Sequence, residues 1–174
     1  MERHPASASS RQELGRLLEA VLTSRGQANA VFDILAVLQS EEPEEIEEGV
    51  RTCSRLFGTL LEREELFVGS LPSEDTALAG SQGATYKYKV WIRHRYHSCC
   101  NRLEELLAHP TFQVKELALK TLMKFVQLEG AKPLEKPQWE SHYLFPRTLF
   151  RVRPWWDLED RGGHRLRPSH EPAD

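Results

Sequence analysis

Histidine and cysteine side chains, the usual ligands of zinc, lie close together in one short stretch, at His94, His97, Cys99 and Cys100. A structural zinc site needs four ligands that converge on the ion. On a helix His94 and His97 share one face, whereas Cys99 falls on the apolar face, and no second Cys/His pair lies nearby in the sequence. We interpret the stretch as two surface histidines beside a buried thiol, and we expect no metal and no other cofactor.

A glycine-rich segment at residues 80–85 precedes a predicted helix, where backbone N–H groups could hold a phosphate. The segment lacks the Gly-Lys-Ser/Thr ending of a P-loop and follows no predicted strand, so a plain connection is the better interpretation. The sequence also contains no Gly-x-Ser-x-Gly motif and no convincing pair of nucleophile and base. These observations predict that the protein is not an enzyme.

The third candidate functional site is the basic segment 87–102, which holds five Lys or Arg residues, two His and no acidic residue. Four of its residues lie opposite the apolar face in a helical projection: Lys87, Trp91, Arg95 and Arg102. Tryptophan and arginine are frequent anchors both at protein interfaces and on RNA bases, so these four residues are the candidate binding site for a protein partner or RNA. The alternative is that Trp91 packs under a neighbouring element while the cations are only solvated.

Helical periodicity dominates the sequence that must position these residues, and no strand pattern competes with it. Five helices are predicted: one from a capping box at Ser10 and Glu13 to about residue 25, then one each at about 30–40, 43–64, 85–107 and 111–129, with Gly130 ending the last. Residues 1–9 are expected to be disordered. Residues 65–85 lose the periodicity, and we expect a flexible loop there.

The predicted fold class is all-α, made of stacked helical hairpins of the HEAT or armadillo kind and followed by a disordered tail. The last two helices suggest such a hairpin, because Val114, Ala118 and Leu122 follow a short His-Pro break at the spacing of inward-facing repeat positions. An irregular helical bundle would satisfy the same pattern. We place the helical domain at residues 10–150. Residues 151–174 lack periodicity and hold few aliphatic side chains, which predicts disorder.

Composition excludes several classes of protein. The chain has 174 residues and a formal net charge of -3, which argues against a general polyanion binder. The longest apolar run, residues 34–38, is far shorter than the roughly 20 residues of a membrane span. The polar start has no apolar signal region, and three cysteines make no disulfide framework, so we expect an intracellular, reduced protein without a transmembrane segment.

Four stretches of the chain carry a resemblance to a known family. They read ANAVFDILAVLQS at 28–40, RTCSRLF at 51–57, YKVWIRHRYHSCCNRL at 88–103 and FVQLEG at 125–130. They closely resemble the N-terminal region of the nucleolar complex protein 4 family, and the likeness covers about residues 10–150. Residues from Arg151 onward do not resemble the continuation of that family, so we expect a truncated or alternatively spliced form.

The resemblance implies an α-helical-repeat protein of the nucleus and nucleolus. Its role would be that of a non-enzymatic assembly factor in small-ribosomal-subunit biogenesis and rRNA processing. The implied partners are the nucleolar protein 14 homologue and other pre-ribosomal proteins, with possible loss of these contacts by truncation. The resemblance also implies a less secure association with the nuclear membrane. The alternative function is a stand-alone RNA- or protein-binding module that uses the 87–102 face.

Overall fold

The structure is a computed structural model that describes residues 5–132 and residue 134. These residues form helices and connecting turns, without a strand among them, and the all-α prediction is therefore confirmed. The helices are α1 (Pro5–Thr23), α2 (Ala30–Val37), α3 (Pro43–Glu62), α4 (Glu74–Ala79), α5 (Ala84–Leu106) and α6 (Phe112–Ala131), with one 3-10 turn at Arg25–Gln27. The predictions for residues 135–150 and for the tail 151–174 lie outside the described residues.

Helix α3 lies at the centre of the packing. Its apolar stripe predicts the buried face correctly, because every residue of that stripe is buried: Ile46, Val50, Cys53, Phe57, Leu60 and Leu61. Helices α1 and α2 pack against α3, and α6 makes the most extensive contact with it. Helix α5 pairs with α6 and also touches α3. The core is therefore continuous from α1 to α6.

The helices alternate between two rows along the chain. Helices α1, α3 and α6 form one row, in which each contacts the next. Helix α2 packs on α1 and α3, while α5 packs on α6 and α3, so these two form the second row. Gly49 lets α3 approach the end of α2 closely, because a Cβ atom there would lie 3.1 Å from Leu38 Cδ2 and 3.2 Å from Val37 Cγ1.

The start of α1 differs from the prediction. The helix begins at Pro5, a residue type that suits the first helical position because its missing N–H would have no partner there. Residues 5–9 are therefore helical where we expected disorder, and Ser10 lies inside the helix, where it cannot be the N-cap. Glu13 pairs instead with Arg16, at 2.6 Å. At the other end of the domain, α6 continues through Gly130, which does not end it.

The segment predicted to be a flexible loop, residues 65–85, contains the short helix α4. Ser73 caps α4 with its hydroxyl, which accepts the Thr76 N–H at 3.4 Å. Leu66 and Ala77 are buried. The segment is also tied to α5 along its length, as described below. Residues 65–85 thus form a connection with one short helix, in which a few buried residues and side-chain bonds hold residues 66–79 without helical periodicity.

None of the described helices combines the length and the apolar character that crossing a bilayer requires.

Candidate functional site

A surface groove lies between α2 and α5, which we call the α2–α5 groove. Its volume is about 270 Å³ and it is partly open to solvent. Its apolar lining residues are mainly aliphatic, and the charged side chains that line it are both arginines. Its lining residues are Phe32, Leu35, Ala36, Leu38, Gln39, Arg95, Ser98 and Arg102. Because α2 and α5 are distant in sequence, only the packing of both helices on α3 creates this groove.

Arg95 forms one wall of the groove. Its guanidinium carbon lies 5.1 Å from the ring centre of Phe32 and 5.5 Å from that of Trp91, which places the cation against two aromatic rings. The rings themselves meet edge to face, 5.7 Å apart. Arg95 Nη2 donates to the Glu74 carboxylate of α4. Its Nε is buried and has no hydrogen-bond partner among the residues that the structure describes.

Arg102 lines the groove from the same helix, two turns further along α5. Its Nε donates to the Leu38 carbonyl oxygen at 3.0 Å, just past the last residue of α2. Carbonyl groups at a helix end lack intrahelical partners, and a cation there also opposes the negative end of the helix dipole. Arg102 Nη1 pairs with Glu105 at 2.6 Å, but the Glu105 side chain is 64% exposed. Arg102 therefore has one structural bond and one bond that solvent can replace.

The four residues predicted as a binding face differ in where they lie relative to the groove. Arg95 and Arg102 line the groove, and Trp91 is half-buried behind Arg95. Lys87 does not join them, because its Nζ donates to the Leu78 carbonyl oxygen of α4 at 2.7 Å. Three of the four residues thus lie at or next to the groove, whereas Lys87 ties α4 to α5.

Arg93 is the polar residue whose position the sequence analysis missed. The sequence analysis counted it only among the cations of residues 87–102, but the side chain is only 1% exposed. Its Nη1 donates to the carbonyl oxygens of Leu66 and Leu134, each at 3.2 Å. Arg93 precedes the buried Tyr96 by three residues, so the helical spacing places it at the edge of the apolar face. That spacing is the signal that could have indicated its burial.

The histidines and cysteines do not converge. His94 Nε2 lies 3.0 Å from the Pro72 carbonyl oxygen, so His94 is a partly buried contact to the segment before α4 and not a free surface histidine. Burial raises the pKa of the Cys99 thiol well above its usual value, and the neighbouring Cys53 thiol adds to the rise. Within residues 5–132 and 134, no three His, Cys, Asp or Glu side chains are grouped so that they could hold a metal ion.

The fold and the groove define a class of protein: amphipathic helices packed in two rows, with an exposed apolar and cationic groove on one row. The similarity to the nucleolar complex protein 4 family, indicated by the sequence, is confirmed, and the match to the mouse protein extends beyond residue 150, where the sequence analysis expected the likeness to end. Nucleolar complex protein 4 homolog of mouse is 92% identical over 170 residues, which are 98% of this chain and 33% of that protein. The rat and human proteins of that name are 91% and 74% identical over 152 residues, 87% of this chain and 30% of each protein.

The chain thus spans about a third of the length of the curated relatives it matches. No family model matches the chain. No solved structure matches it either.

Proposed function

We propose that this chain acts in the nucleolus as a non-enzymatic assembly factor for the small ribosomal subunit. In this role it supports rRNA processing by binding proteins within a pre-ribosomal particle. The observation that carries the proposal is the identity of 92% to 74% with mammalian proteins whose name describes a nucleolar complex. The proteins that assemble on it would include the nucleolar protein 14 homologue. Nothing in the relatives' names or in the described residues supports an association with the nuclear membrane.

The packing supports a scaffold role. Two rows of alternating helices are compatible with HEAT-like hairpins, and we propose that kind of stacking for this domain. Helical stacks offer long surfaces that bind other chains without a reactive centre. The polar side chains singled out above hold helices and connections together, as in the bonds of Arg93, Lys87 and His94 to backbone carbonyls. This use of polar groups favours binding over catalysis.

The proposal is tested by expressing the tagged chain in mammalian cells beside the tagged full-length human relative. Quantitative mass spectrometry of purified complexes, with imaging of the tag, gives the two readouts. We expect the chain to locate to nucleoli and to co-purify with a subset of the pre-ribosomal proteins that the full-length relative recovers. A chain that stays outside nucleoli and enriches no pre-ribosomal protein above the tag alone would contradict the proposal.

A second candidate function is a stand-alone RNA-binding module on α5. The density of cations in residues 87–102 favours it. Against it, Lys87, Arg93 and Arg95 are all engaged in bonds within the protein. RNA binding through phosphate contacts would weaken steeply as salt rises, whereas a groove with an aliphatic floor would lose much less affinity. A salt titration therefore separates the two functions.

A further inference from the structure

We propose that the α2–α5 groove binds a short acidic segment of a partner protein, in which Asp or Glu residues flank one or two large apolar side chains. This inference rests on the proposed protein-binding function and specifies the partner's chemistry. Two contacts that join α2 to α5 lie at the groove: the bond from Arg102 Nε to the Leu38 carbonyl oxygen, and the packing of Phe32 on Trp91. Phe32 is nevertheless 47% exposed, so part of its ring is open to a partner.

The shape of the groove fits side chains that project from a peptide. Its volume of about 270 Å³ lies below the range of about 300–1,000 Å³ that is typical of small-molecule sites. The groove is partly open to solvent, which leaves room for a backbone to pass outside. Leu35 and Ala36 offer an aliphatic surface that a partner's Leu or Phe side chain would cover.

The charge of the groove selects acidic flanks. Both charged lining residues are arginines, and the carboxylates that pair with them, Glu74 and Glu105, are not among the residues that line the groove. Arg95 Nε lacks a partner in the described part of the chain, so a carboxylate that reached it would satisfy a buried donor. Arg102 is paired with an exposed glutamate, and exposed ion pairs contribute little, so an incoming carboxylate can replace Glu105 at low cost.

The same geometry favours a peptide over RNA. Base stacking needs a free aromatic face. Here Arg95 covers one face of Phe32 and one of Trp91, and the two rings also contact each other edge to face. The rest of the floor is aliphatic and gives no stacking platform. Arginine combined with an apolar pocket is instead typical of protein interfaces.

The test begins with a library of random 12-residue peptides displayed on phage and selected on the full chain. We expect the recovered peptides to be enriched in Asp and Glu around Leu, Ile, Phe or Trp. The best peptide is then synthesised with a fluorescent label, and its affinity is measured by anisotropy. Recovery of peptides without an acidic excess would overturn the proposal.

Ala36→Glu is the blocking variant. Ala36 is exposed on α2 and lines the groove, so a glutamate there adds a carboxylate beside the arginines without disturbing the core. Ser98→Glu does the same from the exposed side of α5. Gln127→Glu is the matched control, because it adds the same charge at an exposed position of α6 away from the groove. Circular dichroism checks that each variant keeps the helical content of the wild type.

We expect both groove variants to bind the peptide at least about tenfold more weakly than wild type, while Gln127→Glu changes affinity less than about twofold. Equal affinity of all variants would overturn the proposal. It is also overturned if a labelled 12-nucleotide uridine RNA, and no peptide, binds in a manner that Ala36→Glu abolishes.

Co-purification separates this inference from the proposed function. Wild type and Ala36→Glu could recover pre-ribosomal proteins equally well, while the selected peptides bind both with the same affinity. That result would contradict only the assignment of the groove as the binding site. If the chain binds acidic peptides through the groove but recovers no pre-ribosomal protein, only the proposed nucleolar function is contradicted.

Discussion

The Tyr96 hydroxyl on α5 donates a hydrogen bond to the Glu129 carboxylate on α6, and both residues are buried. Tyr96 also meets Phe125 and Phe57 at ring-centre distances of 5.2 Å and 5.5 Å. One residue thus joins three helices, α3, α5 and α6, by apolar and polar contacts together. Because a buried carboxylate is costly to leave without donors, this pair fixes how α5 lies on α6.

Removal of the Tyr96 hydroxyl should destabilise the fold. In Tyr96→Phe the ring contacts remain but Glu129 loses this donor, so we expect the free energy of unfolding to fall by about 1–3 kcal/mol. Urea denaturation followed by circular dichroism measures the change. Tyr86→Phe, near the start of α5 and outside the aromatic cluster, is the control and should change stability by less than about 0.5 kcal/mol. Equal effects of the two substitutions would contradict the structural role of the pair.

Alkaline pH should destabilise the protein through the same tyrosine. Burial raises the pKa of Tyr96 in the folded state, and Cys100 and Glu129 nearby add to the rise. The folded protein therefore keeps a proton that the unfolded chain loses above about pH 10, so this contribution to stability is complete below pH 10 and declines as the pH rises. The raised pKa of Cys99 adds a decline that begins near pH 8.5.

Each group contributes at most about 1.4 kcal/mol per pH unit to this decline. Urea denaturation at intervals between pH 7 and pH 11 gives the slope. In Tyr96→Phe the slope above pH 10 should become smaller, and in Cys99→Ala the slope from pH 8.5 should do so. Slopes that match the wild type in both variants would show that these groups do not govern the alkaline transition.

Gly49 in α3 and Gly15 in α1 allow a pair of glycine substitutions with opposite expected effects. Gly49→Ala brings a Cβ within 3.2 Å of Val37 and Leu38, and Leu38 is fully buried and cannot move aside. We expect a net loss of stability although alanine favours the helix. Gly15→Ala, in α1, meets nothing within 4 Å and should stabilise by up to about 1 kcal/mol. Thermal unfolding compares them; a stabilising Gly49→Ala would mean that α2 can shift away from α3.

Arg93 should be far more sensitive to substitution than an exposed arginine. Arg93→Ala removes the donor to two carbonyls and leaves a cavity, so we expect a loss of about 3 kcal/mol or more. Arg55→Ala, at an exposed position of α3, is the matched control, with an expected change below about 0.5 kcal/mol. Urea denaturation measures both changes in the free energy of unfolding. If Arg93→Ala lowered it no more than Arg55→Ala does, the buried hydrogen bonds of Arg93 would not stabilise the fold.

Apolar periodicity was sufficient to predict the long helices and their buried faces, because burial of a helix face repeats every three to four residues in the sequence itself. The same signal could not show α4, which has six residues and a single buried side chain, Ala77. Nor could it show that α1 starts at Pro5. In these places short-range hydrogen bonds and caps determine the structure, and they produce no periodic pattern in the sequence.

The candidate site was predicted only in part for a related reason. Trp91, Arg95 and Arg102 could be placed on one face of α5, since that is a local property of a helix. Their neighbours on α2, Phe32 and Leu38, are fixed by how both helices pack on α3. The burial of Arg93 likewise depends on carbonyl groups that lie 27 and 41 residues away in the chain. Such contacts are properties of the tertiary structure alone.

The guanidinium of Arg93 binds two distant parts of the backbone at once: the turn after α3, through Leu66, and the segment that follows α6, through Leu134. If either part detaches, the buried guanidinium keeps fewer acceptors, which weakens its hold on the other part. The amide hydrogens of Leu66 and of Leu134 are therefore expected to exchange in concert, as one opening event of the molecule rather than two.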